Sequence, residues 1–153
     1  MLATGAVAPE FSLNSLSGER QTLSGLLASG PVLLAFYKAG CPVCQLTLPY
    51  LERLSQGSLR VVTISQDSEP DTQRFRQRFE LTLPVLFDRA EDRYPASNSF
   101  GITLVPSLFL VEPGGIVSMA GSGFSKKELE TLGQRAGVAV FHKDENVPEW
   151  KAG

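Results

Sequence analysis

The longest unbroken apolar stretch in the chain is VLLAFY, Val32 to Tyr37. A run of this kind, rich in β-branched and aromatic residues, suits a central strand covered on both faces. The period then changes. From Pro42 onward Leu46, Leu48, Leu51 and Leu54 share one broad face of a helix that runs to about Gln56, with Pro49 inside it as an expected kink. A second strand is predicted over residues 59–65. Residues 68–79 read as a helix opened by Ser68 and Pro70 and anchored by Phe75 and Phe79 at i, i+4. A short strand over 84–87 leads into a polar stretch, 88–99, of helix and loops. The runs at 107–111 and 116–120 flank EPGG, a turn signal, and so form a hairpin. Ser125 and Glu128 have capping-box spacing, and Phe124 and Leu129 stand as a hydrophobic staple, which starts the last helix.

Strands alternating with helices predict an α/β protein with a sheet flanked by helices. The 153 residues are expected to form one domain, with 138–153 a flexible tail because its apolar content is too low to demand order. The chain is 42% hydrophobic and 20% charged, with nine Phe, which is the composition of a globular protein. A net charge of -2 provides no field to attract phosphate backbones, so nucleic acid is not an expected partner. The segment RFRQRF is read accordingly as a helix with Phe inward and Arg74, Arg76 and Arg78 in solvent. No segment has the apolar length of a membrane span, and the first ten residues carry no basic n-region, so a cytoplasmic location is expected.

The chemistry concentrates in GCPVC, residues 40–44, which holds the only two cysteines. With the strand ending near Tyr37 and the helix starting at Pro42, Cys41 falls at the N-cap and Pro42 at the first helical position, where its missing N–H costs nothing. Free backbone N–H groups and the positive end of the helix dipole favour a thiolate there. Positions i and i+3 bring Cβ atoms to about 5–6 Å, from which a small adjustment closes a disulfide. Cys41 is thus the candidate nucleophile and Cys44 its resolving partner in thiol-disulfide exchange, with no organic cofactor. Two other readings stand beside it. A structural zinc site usually takes four ligands, whereas the chain has two Cys and one His, His142. Inert core cysteines are the other, set against a Gly and a Pro that suit a tight strand-to-helix turn.

The order of VLLAFY, CPVC opening a helix, and VPS at Val105 to Ser107 before a hairpin and a final helix resembles the thioredoxin fold. APEFSL (Ala8 to Leu13), the GER turn (Gly18 to Arg20) and LSGLL (Leu23 to Leu27) narrow the resemblance to the redoxin branch, which holds TlpA-like disulfide reductases and AhpC/TSA-related peroxiredoxins. The likeness covers about residues 5 to 137. It implies a central mixed β-sheet flanked by helices, an N-terminal extension, and an insertion before the hairpin. It also implies that Pro106 is cis and faces the cysteines. Val105, Pro106, Pro42 and Val43 then become the surface met by a disulfide-bearing protein or a low-molecular-weight thiol, with an upstream electron donor or acceptor as second partner.

The departures from the family pattern matter. Gly40 stands where thioredoxins usually carry Trp, and Ala35 where thioredoxin keeps a buried acid, so the proton acceptor for Cys44 must lie elsewhere. Lys38, by its charge, and Tyr37, at the end of the strand, are candidate modulators of the thiolate. In peroxiredoxins the peroxide-attacking cysteine aligns with Cys44, and its accompanying hydroxyl residue and proline with Cys41 and Tyr37; a thiol peroxidase is therefore the alternative activity, lacking that hydroxyl. A metal-delivery module is the third reading, though such proteins use a wider cysteine spacing with a His.

Overall fold

A computed structural model describes residues 1–153. Along the chain run β1 (Ser12–Ser15), β2 (Arg20–Thr22), α1 (Leu23–Leu27), β3 (Val32–Tyr37), α2 (Pro42–Leu54), β4 (Arg60–Ser65), α3 (Glu69–Arg78), β5 (Val85–Phe87), α4 (Pro95–Ser99), β6 (Ser107–Val111), β7 (Val117–Ser122), β8 (Phe124–Ser125), α5 (Lys126–Ala136) and β9 (Trp150–Lys151). All six residues of β3 are buried, and the strand's period of two distributes them between two cores. Leu33, Ala35 and Tyr37 join Leu48, Leu51, Leu54 and Phe124 on one face. Val32, Leu34 and Phe36 join Leu23, Leu26, Phe100 and Phe109 on the other. Strand β6 divides in the same way, with Leu108 and Leu110 on the first face and Phe109 and Val111 on the second. A continuous apolar run is what a strand needs when helices cover both sides.

The seven-stranded sheet has the order β2-β1-β5-β4-β3-β6-β7. Strands β3, β4 and β5 are parallel, while β6 and β7 on one side and β1 and β2 on the other run antiparallel. This is the mixed sheet of a thioredoxin-like fold, with β1, β2 and α1 as the N-terminal extension and β5 and α4 inserted ahead of the β6–β7 hairpin. Helix α2 continues through Pro49 to Leu54, so the proline deletes one backbone donor without ending the helix. In α3, Phe75 is buried and Arg74 and Arg78 are exposed, whereas the Arg76 guanidinium donates to the Leu83 carbonyl and is not simply solvated.

Two local expectations are corrected. Ser125 Oγ accepts from Glu128 N at 3.2 Å, which is one half of the capping box. The other half, a bond from the Ser125 amide back to the Glu128 carboxylate, is not made. The Glu128 carboxylate lies instead over Gly121, half-buried, and burial pushes its pKa up.

Residues 138–153, expected as a flexible tail, are packed. Val140 is buried, and the Phe141 ring lies 4.8 Å from that of Tyr50 and 6.1 Å from that of Phe124. Glu145 accepts a bidentate pair of bonds from Arg53, at 2.6 and 2.8 Å. The segment's own apolar content is indeed low, but its docking surface is supplied by α2 and β8, and so does not register in its composition.

Candidate active site

The cysteines occupy the start of α2, directly after the central strand. Cys41 is the N-cap, with extended backbone (φ -87°, ψ 117°), and Pro42 is the first helical residue. The Cys44 amide donates to Cys41 Sγ at 3.2 Å, so one of the helix's free N–H groups is aimed at that sulfur. Cys41 is half-buried and Cys44 has no exposed surface; both are free thiols. Burial pushes the Cys44 thiol well above its ordinary value; the Lys38 backbone opposes this, and the Cys41 sulfur and the Asp67 carboxylate add to it. The site is asymmetric: one cysteine is partly exposed and the other is fully buried.

The loop between β3 and α2 is held from both sides. Asp67, just past the end of β4, accepts from the Ala39 amide at 2.6 Å, and the Gln45 side-chain amide donates to the Ala39 carbonyl at 2.9 Å. The Cys41 amide closes the turn by donating to the Lys38 carbonyl at 3.3 Å. Asp67 and Gln45 escape a reading of the sequence because nothing in periodicity links them to Ala39, 28 and 6 positions away. The only cue to Asp67 is an acid just beyond a strand that runs parallel to the one carrying the cysteines. Ala35 is fully buried, so β3 places no carboxylate below the pair, and Asp67 is the carboxylate whose charge reaches Cys44.

The opposite wall is the segment before β6. The Val105–Pro106 bond is cis, Pro106 is buried, and the Val105 carbonyl accepts from the Cys41 thiol at 3.4 Å. Pro42 is exposed and Val43 half-buried beside the sulfurs in sequence. Lys38 lines a small cavity of about 250 Å³ together with Gln66, Tyr94, Leu104 and the site's own Val105. Tyr37 does not open onto the surface: it is buried, its ring 5.2 Å from that of Phe75, and burial raises its pKa to about 12. His142 stands 3.8 Å from Glu145 in the C-terminal segment, where the two form a local pair.

Known proteins place this architecture. The model of the AhpC/TSA family matches residues 4–120. The thioredoxin-like protein YneN of Bacillus subtilis is 30% identical over 135 residues, covering 82% of this chain and 76% of its own. The thiol-disulfide oxidoreductase ResA of Geobacillus thermodenitrificans is 29% identical over 132 residues, covering 83% and 74%. Among solved structures, the thioredoxin domain of a thiol-disulfide oxidoreductase from Bacteroides vulgatus superposes with a TM-score of 0.77 at 23% identity, over 89% of this chain and 99% of that one. With a family match across most of its length and the thioredoxin-like fold, the chain belongs to the AhpC/TSA family.

Proposed function

We propose that the protein is a thiol-disulfide oxidoreductase in which Cys41 attacks and Cys44 resolves. The observation that carries this is the asymmetry at the start of α2, a reachable sulfur facing a backbone amide and a buried one three residues on. In the reductive direction the Cys41 thiolate attacks one sulfur of a substrate disulfide. A mixed disulfide forms, and the other substrate sulfur leaves as a thiolate. Cys44 then loses its proton and attacks Cys41 Sγ. The substrate departs as a dithiol, carrying two electrons, and the Cys41–Cys44 disulfide remains for an upstream dithiol donor to reduce. Burial raises the Cys44 thiol, so a base must take its proton before it can attack Cys41 Sγ.

The chemistry needs no organic cofactor, since both electrons reside in the sulfur pair. Val105, Pro106, Pro42 and Val43 form the rim that a protein disulfide or a low-molecular-weight disulfide meets, with the Val105 carbonyl 3.4 Å from the attacking sulfur. The buried position of Cys44 counts against the thiol peroxidase, because peroxide would have to reach a sulfur with no exposed surface and a raised pKa.

The test is turnover of a polypeptide disulfide and of a small disulfide by the wild type, Cys41→Ser and Cys44→Ser, with equilibration of the pair against glutathione. Both single variants are expected to lose catalytic turnover. The potential is expected below the cytosolic glutathione poise of about -220 to -260 mV. A more positive potential would reverse the assigned direction, and full turnover by Cys41→Ser would remove the assignment.

A further inference from the structure

The carbonyl oxygen that accepts from Cys41 has a second neighbour. A side chain on Gly153 would begin 2.5 Å from the Val105 oxygen and 3.1 Å from its carbonyl carbon, so the glycine backbone lies directly against that carbonyl. The approach is continuous along the chain. Glu149 accepts from the Lys126 amide at 3.0 Å, Trp150 and Lys151 pair with Ser125 and Phe124, and Gly123 meets the Lys151 carbonyl and Gly153 amide where no other residue would fit. Gly123 in turn donates to the Pro106 carbonyl at 2.8 Å. Residues 149–153 thus lie along 123–126 and end on the oxygen that faces the attacking sulfur.

The hold has two parts of unequal strength. The base is firm, through Val140, Phe141 and the Arg53–Glu145 pair. The outer stretch rests on a two-residue ladder, a 3.7 Å pair between Lys126 and Glu149, and a Trp150 that is 61% exposed. A two-stranded pairing this short is marginal by itself. An extended polypeptide that brings a disulfide to Cys41 gains its backbone bonds by lying along the Val105 edge. Gly153 stands on that ground. A small disulfide needs only the sulfur and its immediate rim.

We infer that residues 149–153 are a specificity-determining strap, which lies in the path of extended polypeptide disulfides at Val105 and leaves small disulfides free to react at Cys41. This rests on the exchange reading above. When the strap is down for nine-tenths of the time, the apparent rate for a substrate that needs it raised falls about tenfold.

Two variants outside the sulfur chemistry test it in the full chain. Gly153→Val forces a side chain against the Val105 oxygen, and Lys151→Pro removes a backbone donor from β9. The expected result is a gain of about tenfold in kcat/KM for insulin disulfides, with a change under about twofold for oxidised glutathione. The anisotropy of Trp150, the lone tryptophan, should fall in the same variants. If the insulin rate stays level or drops, or both substrates gain alike, the strap is wrong although exchange stands. Failure of the wild type on both substrates would instead remove the exchange reading, and the strap with it.

Discussion

Cys41 Sγ and the carbonyl oxygen of Val105, 64 positions apart in the chain, stand 3.4 Å from each other. The contact joins the end of one central strand to the start of its antiparallel neighbour, since β3 and β6 pair from Val32 with Val111 to Phe36 with Ser107. That register brings the post-strand loop of β3 and the pre-strand segment of β6 to the same edge of the sheet. The attacking sulfur and the backbone that receives a substrate are therefore placed by one strand pairing.

Differential alkylation should report the asymmetry of the pair. In the folded, reduced protein, iodoacetamide is expected to modify Cys41 and spare Cys44, because Cys44 is fully buried and its thiol is held protonated. Peptide mass spectrometry after brief exposure checks this, and denaturation before labelling should make the two equal.

Asp67 is expected to matter through Ala39. Replacing it by Ala leaves the Ala39 amide without its 2.6 Å acceptor and should cost about 1–3 kcal/mol in chemical denaturation. Asp67→Asn keeps an acceptor oxygen and should cost less. Since the carboxylate charge is one of the influences that raise Cys44, Asn should also speed the resolving step at neutral pH, seen as a shorter-lived mixed disulfide.

Alkali should destabilise the reduced protein in two stages. Cys44 is raised from 9.0, and Tyr37 from 10.0 to about 12, chiefly by burial in both cases. The folded state keeps these protons after the unfolded chain has released them, so stability is complete below pH 9.0 and falls as pH rises. Each group contributes a slope of roughly 1.4 kcal/mol per pH unit while only the unfolded form is ionised. Urea midpoints followed upward in pH should fall, with Cys44→Ala flattening the decline from 9.0 upward and Tyr37→Phe removing the added steepness from 10.0 to about 12.

Acid should loosen the C-terminal segment before the core. The Arg53 guanidinium lowers Glu145 from 4.5 to about 2, so its contribution is complete above pH 4.5 and is lost as pH falls towards 2. Trp150 anisotropy should decrease through that window. Glu145→Gln should already be lowered at neutral pH and show a weaker acid transition.

Much of the frame was legible because its causes are local. VLLAFY is apolar throughout because both of its faces are covered, and CPVC opens a helix because Cys41 and Pro42 are an N-cap and a first-turn residue. The relationships that escaped are long-range. Asp67 reaches Ala39 only because β3 and β4 are parallel neighbours, and Phe141 finds its partners on α2 and β8. The S-x-x-E spacing of Ser125 and Glu128 predicts a complete capping box, an expectation that holds for an isolated helix start. Here the carboxylate lies against Gly121 of the neighbouring strand instead, a contact made across the fold. The cis bond at Pro106 came from family resemblance; no periodicity or spacing in the chain encodes it.

Trapping of the mixed disulfide tests the division of labour between the two sulfurs most directly. When each single variant is mixed with a disulfide substrate and quenched in acid, Cys44→Ser is predicted to accumulate a stable adduct on Cys41, and Cys41→Ser to accumulate none. An adduct on Cys44 in the Cys41→Ser protein, formed at a comparable rate, would contradict the account.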